Sequence, residues 1–136
     1  MIYLLDTSLV SELAKPRPKR DVTKAFASHF EHVRIASLVL HELRYGVARL
    51  PTGTRKDTIR AAMDLLVEGI PVLPYDAAAA EWHADERARL EAVGRTPSFV
   101  DGMIAATAAA HGCVLVTLNP KDFRGFALTV ETWTRS

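Results

Sequence analysis

An α/β fold with a mainly parallel central sheet flanked by helices is predicted by three features of this sequence. Short aliphatic or β-branched runs alternate with longer helix-like segments along nearly the whole chain. Gly69, Gly94 and Gly112 each follow a helical run, where a left-handed closing residue is wanted. The helical segments are long, as the crossovers between parallel strands must be, and such a sheet is covered on both faces.

Residues 2–5 read as the first strand, ending at Asp6, and residues 7–14 as the helix behind it. Pro16 and Pro18 then break the chain before a helix over 22–30. A strand at 33–36 leads into a helix over 38–49, and Pro51-Thr52-Gly53 separates that helix from the next, 55–68. Residues 72–73 form a short strand. Asp76 is placed to cap the alanine-rich helix over 77–93. A helix over 99–111 precedes a strand at 114–117, and residues 127–130 carry a weaker strand signal. No internal repeat or low-complexity segment interrupts this order.

With 136 residues the chain has the size of one domain, expected to span 1–136. Its 49% apolar content suits a globular core, and a chain this long needs no disulfide or structural metal to fold. A single cysteine, Cys113, excludes an internal disulfide and a cysteine-based zinc cluster. That usage suits a reducing cytoplasm, the expected location. Neither a signal-peptide pattern nor an apolar run of membrane-spanning length is present. The net charge of +1 excludes little.

In open parallel sheets, ligands sit beyond the carboxyl ends of the strands, where neighbouring loops diverge. Asp6 ends the first strand and Thr117-Leu118-Asn119 ends the fourth, so these polar groups are expected to be neighbours. Glu42 and Asp101 complete the candidate set. Each of the four also has a plain structural reading. Asp6 suits a helix N-cap, and Ser98-x-x-Asp101 suits a capping box. Glu42 suits a solvated helix face, and Asn119-Pro120 suits a turn. Their surroundings favour more than that, because Asp6, Glu42 and Asp101 all emerge from apolar segments. Carboxylates so placed are costly unless something compensates them. A hard cation such as Mg²⁺ or Mn²⁺ takes oxygen ligands and would do so, and such a centre can cleave phosphodiesters.

Four blocks of the sequence make the candidates specific. Leu4-Leu5-Asp6-Thr7-Ser8-Leu9-Val10-Ser11-Glu12-Leu13 resembles the opening of PIN-domain toxins of the VapC and FitB kind. Glu42-Leu43-Arg44-Tyr45-Gly46-Val47 resembles their second acidic block, and Asp101-Gly102-Met103-Ile104-Ala105-Ala106-Thr107-Ala108 their third. Val116-Thr117-Leu118-Asn119 with Asp122-Phe123 resembles the fourth, and the blocks stand in the family's order. The resemblance implies one PIN-like domain and an endoribonuclease, the toxin of a toxin–antitoxin pair. Asp6, Glu42 and Asp101 would be its Mg²⁺- or Mn²⁺-site carboxylates. It also implies an RNA substrate, a homodimer and a small VapB-like antitoxin. One departure stands out: Asn119 occupies a place where many relatives carry a fourth acid, with Asp122 as an alternative for completing the site.

Other classes are less well supported. A zinc-protease helix would need a second histidine where Tyr45 stands, four residues after His41. An aspartyl-nucleophile phosphatase of the haloacid-dehalogenase type would need an acid where Ser8 stands. A catalytically silent PIN-type RNA- or protein-binding module stays open because of Asn119. His29, His32, His83 and His111 read as surface residues, Cys113 as core, and Trp82 and Trp133 as packing residues. Thr7, Ser8 and Thr117 are candidates for orienting the carboxylates, or for ordinary backbone capping. Two basic stretches, 15–20 and Arg55-Lys56 with Arg60, are either RNA guides or solvated surface.

Overall fold

The computed structural model describes residues 1–134. Arg135 and Ser136, the last two of the expected domain, lie outside the described residues. The strands are β1 (Tyr3–Leu5), β2 (Val33–Ala36), β3 (Val72–Leu73), β4 (Val114–Val116) and β5 (Val130–Glu131), all parallel, in the order β3-β2-β1-β4-β5. Between them run α1 (Thr7–Leu13), α2 (Arg20–His29), α3 (Ser37–Ala48), α4 (Thr54–Val67), α5 (Ala77–Ala92) and α6 (Phe99–Ala110). Short 3₁₀ turns cover Phe30–His32 and Pro120–Phe123.

Strand β1 sits at the centre, with Leu5 opposite Ile35 of β2 and Val116 of β4. Leu4 and Leu5 are adjacent and both 0% exposed. Successive residues of a strand point to opposite faces, so both faces of the sheet are covered there. This is why β1 and β4 read as apolar runs rather than alternating ones, while β2 is interrupted only by Arg34. Leu9, Val39, Ile104 and Leu115 join the same core, each contributing about 1.5–3 kcal/mol by burial. The outermost strands, β3 and β5, are two residues long and only partly buried.

The expected helices all form, with ends that differ by one or two residues. Asp76 caps α5 as its place suggested, its Oδ1 accepting the Ala79 amide at 3.0 Å. Gly112 closes α6 at φ 66° and turns the chain into β4, a conformation that a Cβ would strain. The last strand is a correction. It begins at Val130 rather than at 127, because the preceding residues are held in a loop. Buried Glu86 of α5 accepts the Ala127 amide at 2.8 Å, and Arg89 spans from Glu86 to the Gly125 carbonyl. Those bonds take the groups that a longer strand would use.

The proline-broken segment after α1 is also tied down. Glu12, 4% exposed, accepts from Lys15 Nζ and from the Lys19 amide, each at 2.9 Å. These two bonds, with Lys15's the stronger influence, hold its carboxyl below the usual range. Part of the first basic stretch is therefore structural. No helix among the described residues is long and apolar enough to cross a membrane.

Candidate active site

Chain order runs outward from β1 to β3, then returns to place β4 on β1's other side. The switch between β1 and β4 opens a crevice at their carboxyl ends. Asp6 leaves β1 there, its amide donating to the Val116 carbonyl at 2.9 Å. Although Asp6 stands at the N-cap of α1, its side chain makes no capping bond. Its carbonyl accepts from Leu9 and Val10 instead, which frees the carboxylate to face the crevice chemistry.

That carboxylate is 7% exposed and is held by hydroxyls. Its Oδ2 accepts from Thr117 Oγ1 at 2.8 Å and from Ser8 Oγ at 3.1 Å. Thr117 Oγ1 in turn accepts the Asn119 amide at 3.0 Å, and Ser8 Oγ accepts the Leu118 amide at 3.1 Å. Thr7 Oγ1 donates to Glu42 Oε1 at 2.6 Å, drawing the α3 carboxylate toward the start of α1. All three candidate hydroxyls thus orient a carboxylate directly.

Asp101 lies in the first turn of α6, where Ser98 Oγ accepts its amide at 3.3 Å. The reciprocal capping bond from the Asp101 carboxylate is not among those of the described residues. Burial is the first cause raising its carboxyl to about 6, followed by the charges of Asp6, Asp122 and Glu42. One negative field therefore joins Asp6, Glu42, Asp101 and Asp122. Asp122, on the 3₁₀ turn after β4, enters that field; Asn119, at the N-cap of the same turn, is neutral and its amide side chain makes no capping bond, and both residues are exposed.

The donors are carboxylates and hydroxyls, with no imidazole or thiolate among them, which is the set a hard cation prefers. Among the described residues no three His, Cys, Asp or Glu side chains are grouped so as to hold a metal ion by themselves. An open arrangement fits a cation such as Mg²⁺, which keeps several waters and needs only one or two carboxylates.

The raised Asp101 carboxyl gives a stability prediction. A proton bound more tightly in the folded state stabilises it at low pH, and that contribution is lost as pH rises from 3.8 through about 6. Asp101→Asn is therefore expected to raise the Tm of metal-free protein at pH 7.5 by about 3–6 °C, after discounting for partial exposure. The gain should shrink as pH falls toward 4. A Tm difference independent of pH would show that Asp101 is not in this field.

His83 was expected at the surface and is not there. It is 4% exposed, and its Nδ1 lies 3.0 Å from the Tyr75 hydroxyl. Its position on α5, against the small-residue face of α6, accounts for the burial. His111 is half-buried, with Nε2 3.1 Å from the Pro74 carbonyl. His29 stacks on Trp133, ring centroids 5.5 Å apart, and Trp82 packs on Phe126. Cys113 is buried, as expected.

Fold and site together define an α/β protein with an oxygen-only acidic crevice at the carboxyl edge of a parallel sheet. The chain belongs to the PIN domain family, whose model matches residues 3–127. It is 34% identical over 132 residues to the tRNA(fMet)-specific endonuclease VapC of Shigella flexneri, covering 96% of this chain and 97% of that protein. With the VapC ribonuclease Y4jK of Sinorhizobium fredii it shares 33% identity over 135 residues, 95% of each. The crystal structure of VapBC2 from Rickettsia felis bound to a promoter DNA fragment superposes with a TM-score of 0.87 at 26% identity. That match covers 98% of this chain and 100% of the other.

Proposed function

We propose that this chain is an endoribonuclease toxin of a toxin–antitoxin pair and that it works with Mg²⁺ or Mn²⁺. The observation that carries the reading is the shared negative field of Asp6, Glu42, Asp101 and Asp122 at the β1/β4 switch. The VapC relatives named above are ribonucleases, and this chain spans nearly their whole length. When bound, a hard cation supplies charge neutralisation at the scissile phosphate and activation of water. Asp6, Glu42 and Asp101 are the residues that would hold it. Thr117 and Ser8 fix the Asp6 carboxylate, and Thr7 fixes that of Glu42, so little reorganisation is needed at the moment of reaction.

The purified chain should cleave RNA with Mn²⁺ or Mg²⁺, stop in EDTA, and resume when Mn²⁺ is restored in excess. Undiminished cleavage in EDTA would sink the metal mechanism. RNA binding without cleavage under any metal would leave the silent binding module.

An antitoxin is the proposed partner, as in the VapBC2 assembly. A groove of about 580 Å³ between α1 and α4 is lined by Leu13, Ala14, Ile59, Ala62, Leu65 and Leu66. Leu65 is 75% exposed there, and Lys15 and Arg55 border the groove and its continuation. An amphipathic segment with acidic flanks would fit such a surface. An arginine of that partner reaching the carboxylates would supply charge in place of metal. Co-expression with a VapB-like antitoxin should yield a stable pair that cleaves RNA more slowly than the free chain. Equal rates would overturn the inhibition.

A further inference from the structure

Glycine in a helix interior costs about 1 kcal/mol relative to alanine, so Gly102 in the alanine-rich α6 calls for a reason. The reason lies across the helix pair. A Cβ on Gly102 would stand 2.3 Å from His83 Nε2 and 2.9 Å from its Cδ2. Among the described residues, no other glycine would bring a Cβ within 3.0 Å of a neighbour. The imidazole edge therefore abuts the backbone of α6 at the residue next to Asp101.

The ring itself is held from other directions. Tyr75, in the segment between β3 and α5, bonds Nδ1 at 3.0 Å. Phe99, one turn before Gly102 on α6, packs with its ring centroid 4.8 Å from that of His83. Beside these contacts His83 borders a cavity of about 230 Å³ shared with Arg87, Ser98, Phe99 and Phe126. The first turn of α6 thus has open space beside it, and at Gly102 the imidazole is the neighbour that it meets.

We propose that His83 is a positioning residue for Asp101, setting how deeply the first turn of α6 seats against α5 and so where Asp101 presents its carboxylate. This rests on the reading of Asp101 as a metal-site carboxylate. Such a site tolerates displacements of only about 0.5 Å, and a helix transmits a shift at Gly102 to its neighbour undiminished. Tyr75 acts one step further back, by fixing the ring.

The test measures Mn²⁺ binding to metal-free protein by calorimetry, at a temperature where circular dichroism shows every variant folded. His83→Asn can keep the Tyr75 bond but lacks the edge that reaches Gly102, whereas His83→Gln restores the reach. His83→Asn is expected to weaken Mn²⁺ binding about 10-fold, and His83→Gln to recover most of it. Gly102→Ala should weaken binding at least as much, with His83→Ala in the same chain relieving part of the loss. RNA cleavage at saturating Mn²⁺ should follow the same order. A purely structural His83 would lower Tm and leave the Mn²⁺ affinity of folded protein unchanged, which overturns the proposal. Asp101→Asn is measured alongside: if it loses Mn²⁺ binding and His83→Asn does not, the positioning role alone fails. If neither loses binding, the metal-site reading fails and takes the positioning role with it.

Discussion

Asp101→Asn and Asp6→Asn are expected to lower RNA cleavage by at least about 100-fold while leaving the chain folded. Each substitution removes one unit of negative charge from the crevice and keeps the shape of the side chain. Thr117 and Ser8 can still donate to the amide oxygen of an asparagine at position 6, so the β1/β4 junction should hold. For Asp101 the removal also relieves repulsion with Asp6, Asp122 and Glu42, which is why loss of activity should accompany equal or greater stability. Asn119→Ala should cost much less, since Asn119 carries no charge. Asp122→Asn should fall between the two, because its carboxylate contributes to the field but sits on an exposed turn. Initial rates against Mn²⁺ concentration would rank the four. Cleavage by Asp101→Asn within tenfold of the unsubstituted chain would remove Asp101 from the site.

Phe123→Ala should be the most destabilising of the substitutions considered, by about 3–5 kcal/mol or roughly 10–15 °C in Tm. Phe123 is 2% exposed and belongs to the main core, yet it stands on the 3₁₀ turn that carries Asp122. Its ring anchors that turn to the hydrophobic interior. Truncation therefore leaves a cavity and also loosens the carboxylate one residue before it. Phe123→Leu should cost much less and keep most of the activity. Urea denaturation of the three proteins would decide, and a loss below about 1 kcal/mol for the alanine variant would mean the turn is held by other contacts.

Much of the fold was legible because β1 and β4 are continuous apolar runs, β2 is apolar but for Arg34, and the helices are long. Periodicity and flanking caps locate such elements well, and Asp76 and Gly112 behaved as their types suggest. The fifth strand was misplaced because nothing local to residues 127–130 reveals that Glu86, distant in sequence, captures the Ala127 amide. His83 failed for the same reason. An isolated histidine on an alanine-rich helix has the pattern of a solvated residue, and it is Gly102, Phe99 and Tyr75, all distant in sequence or outside its helix, that enclose it. That signal was present as a glycine inside an alanine-rich helix. At the site, Asp6, Glu42 and Asp101 were legible as acids emerging from apolar segments. The choice between Asn119 and Asp122 was not, because it depends on how the turn after β4 folds back, and a neutral amide contributes no charge by which it could be compared with Asp122.

The bond from Thr117 to Asp6 joins residues 111 positions apart, and β4 pairs with β1 across the same separation. During synthesis the amino-terminal part of a chain emerges first, so Asp6 is exposed long before its partners exist. The acidic crevice has no second wall until β4 has left the ribosome and docked. A nascent chain, or one cut short before that strand, therefore carries three of the carboxylates and no assembled centre. Assembly of the centre therefore waits on β4, which supplies Thr117 and leads into the turn that carries Asp122.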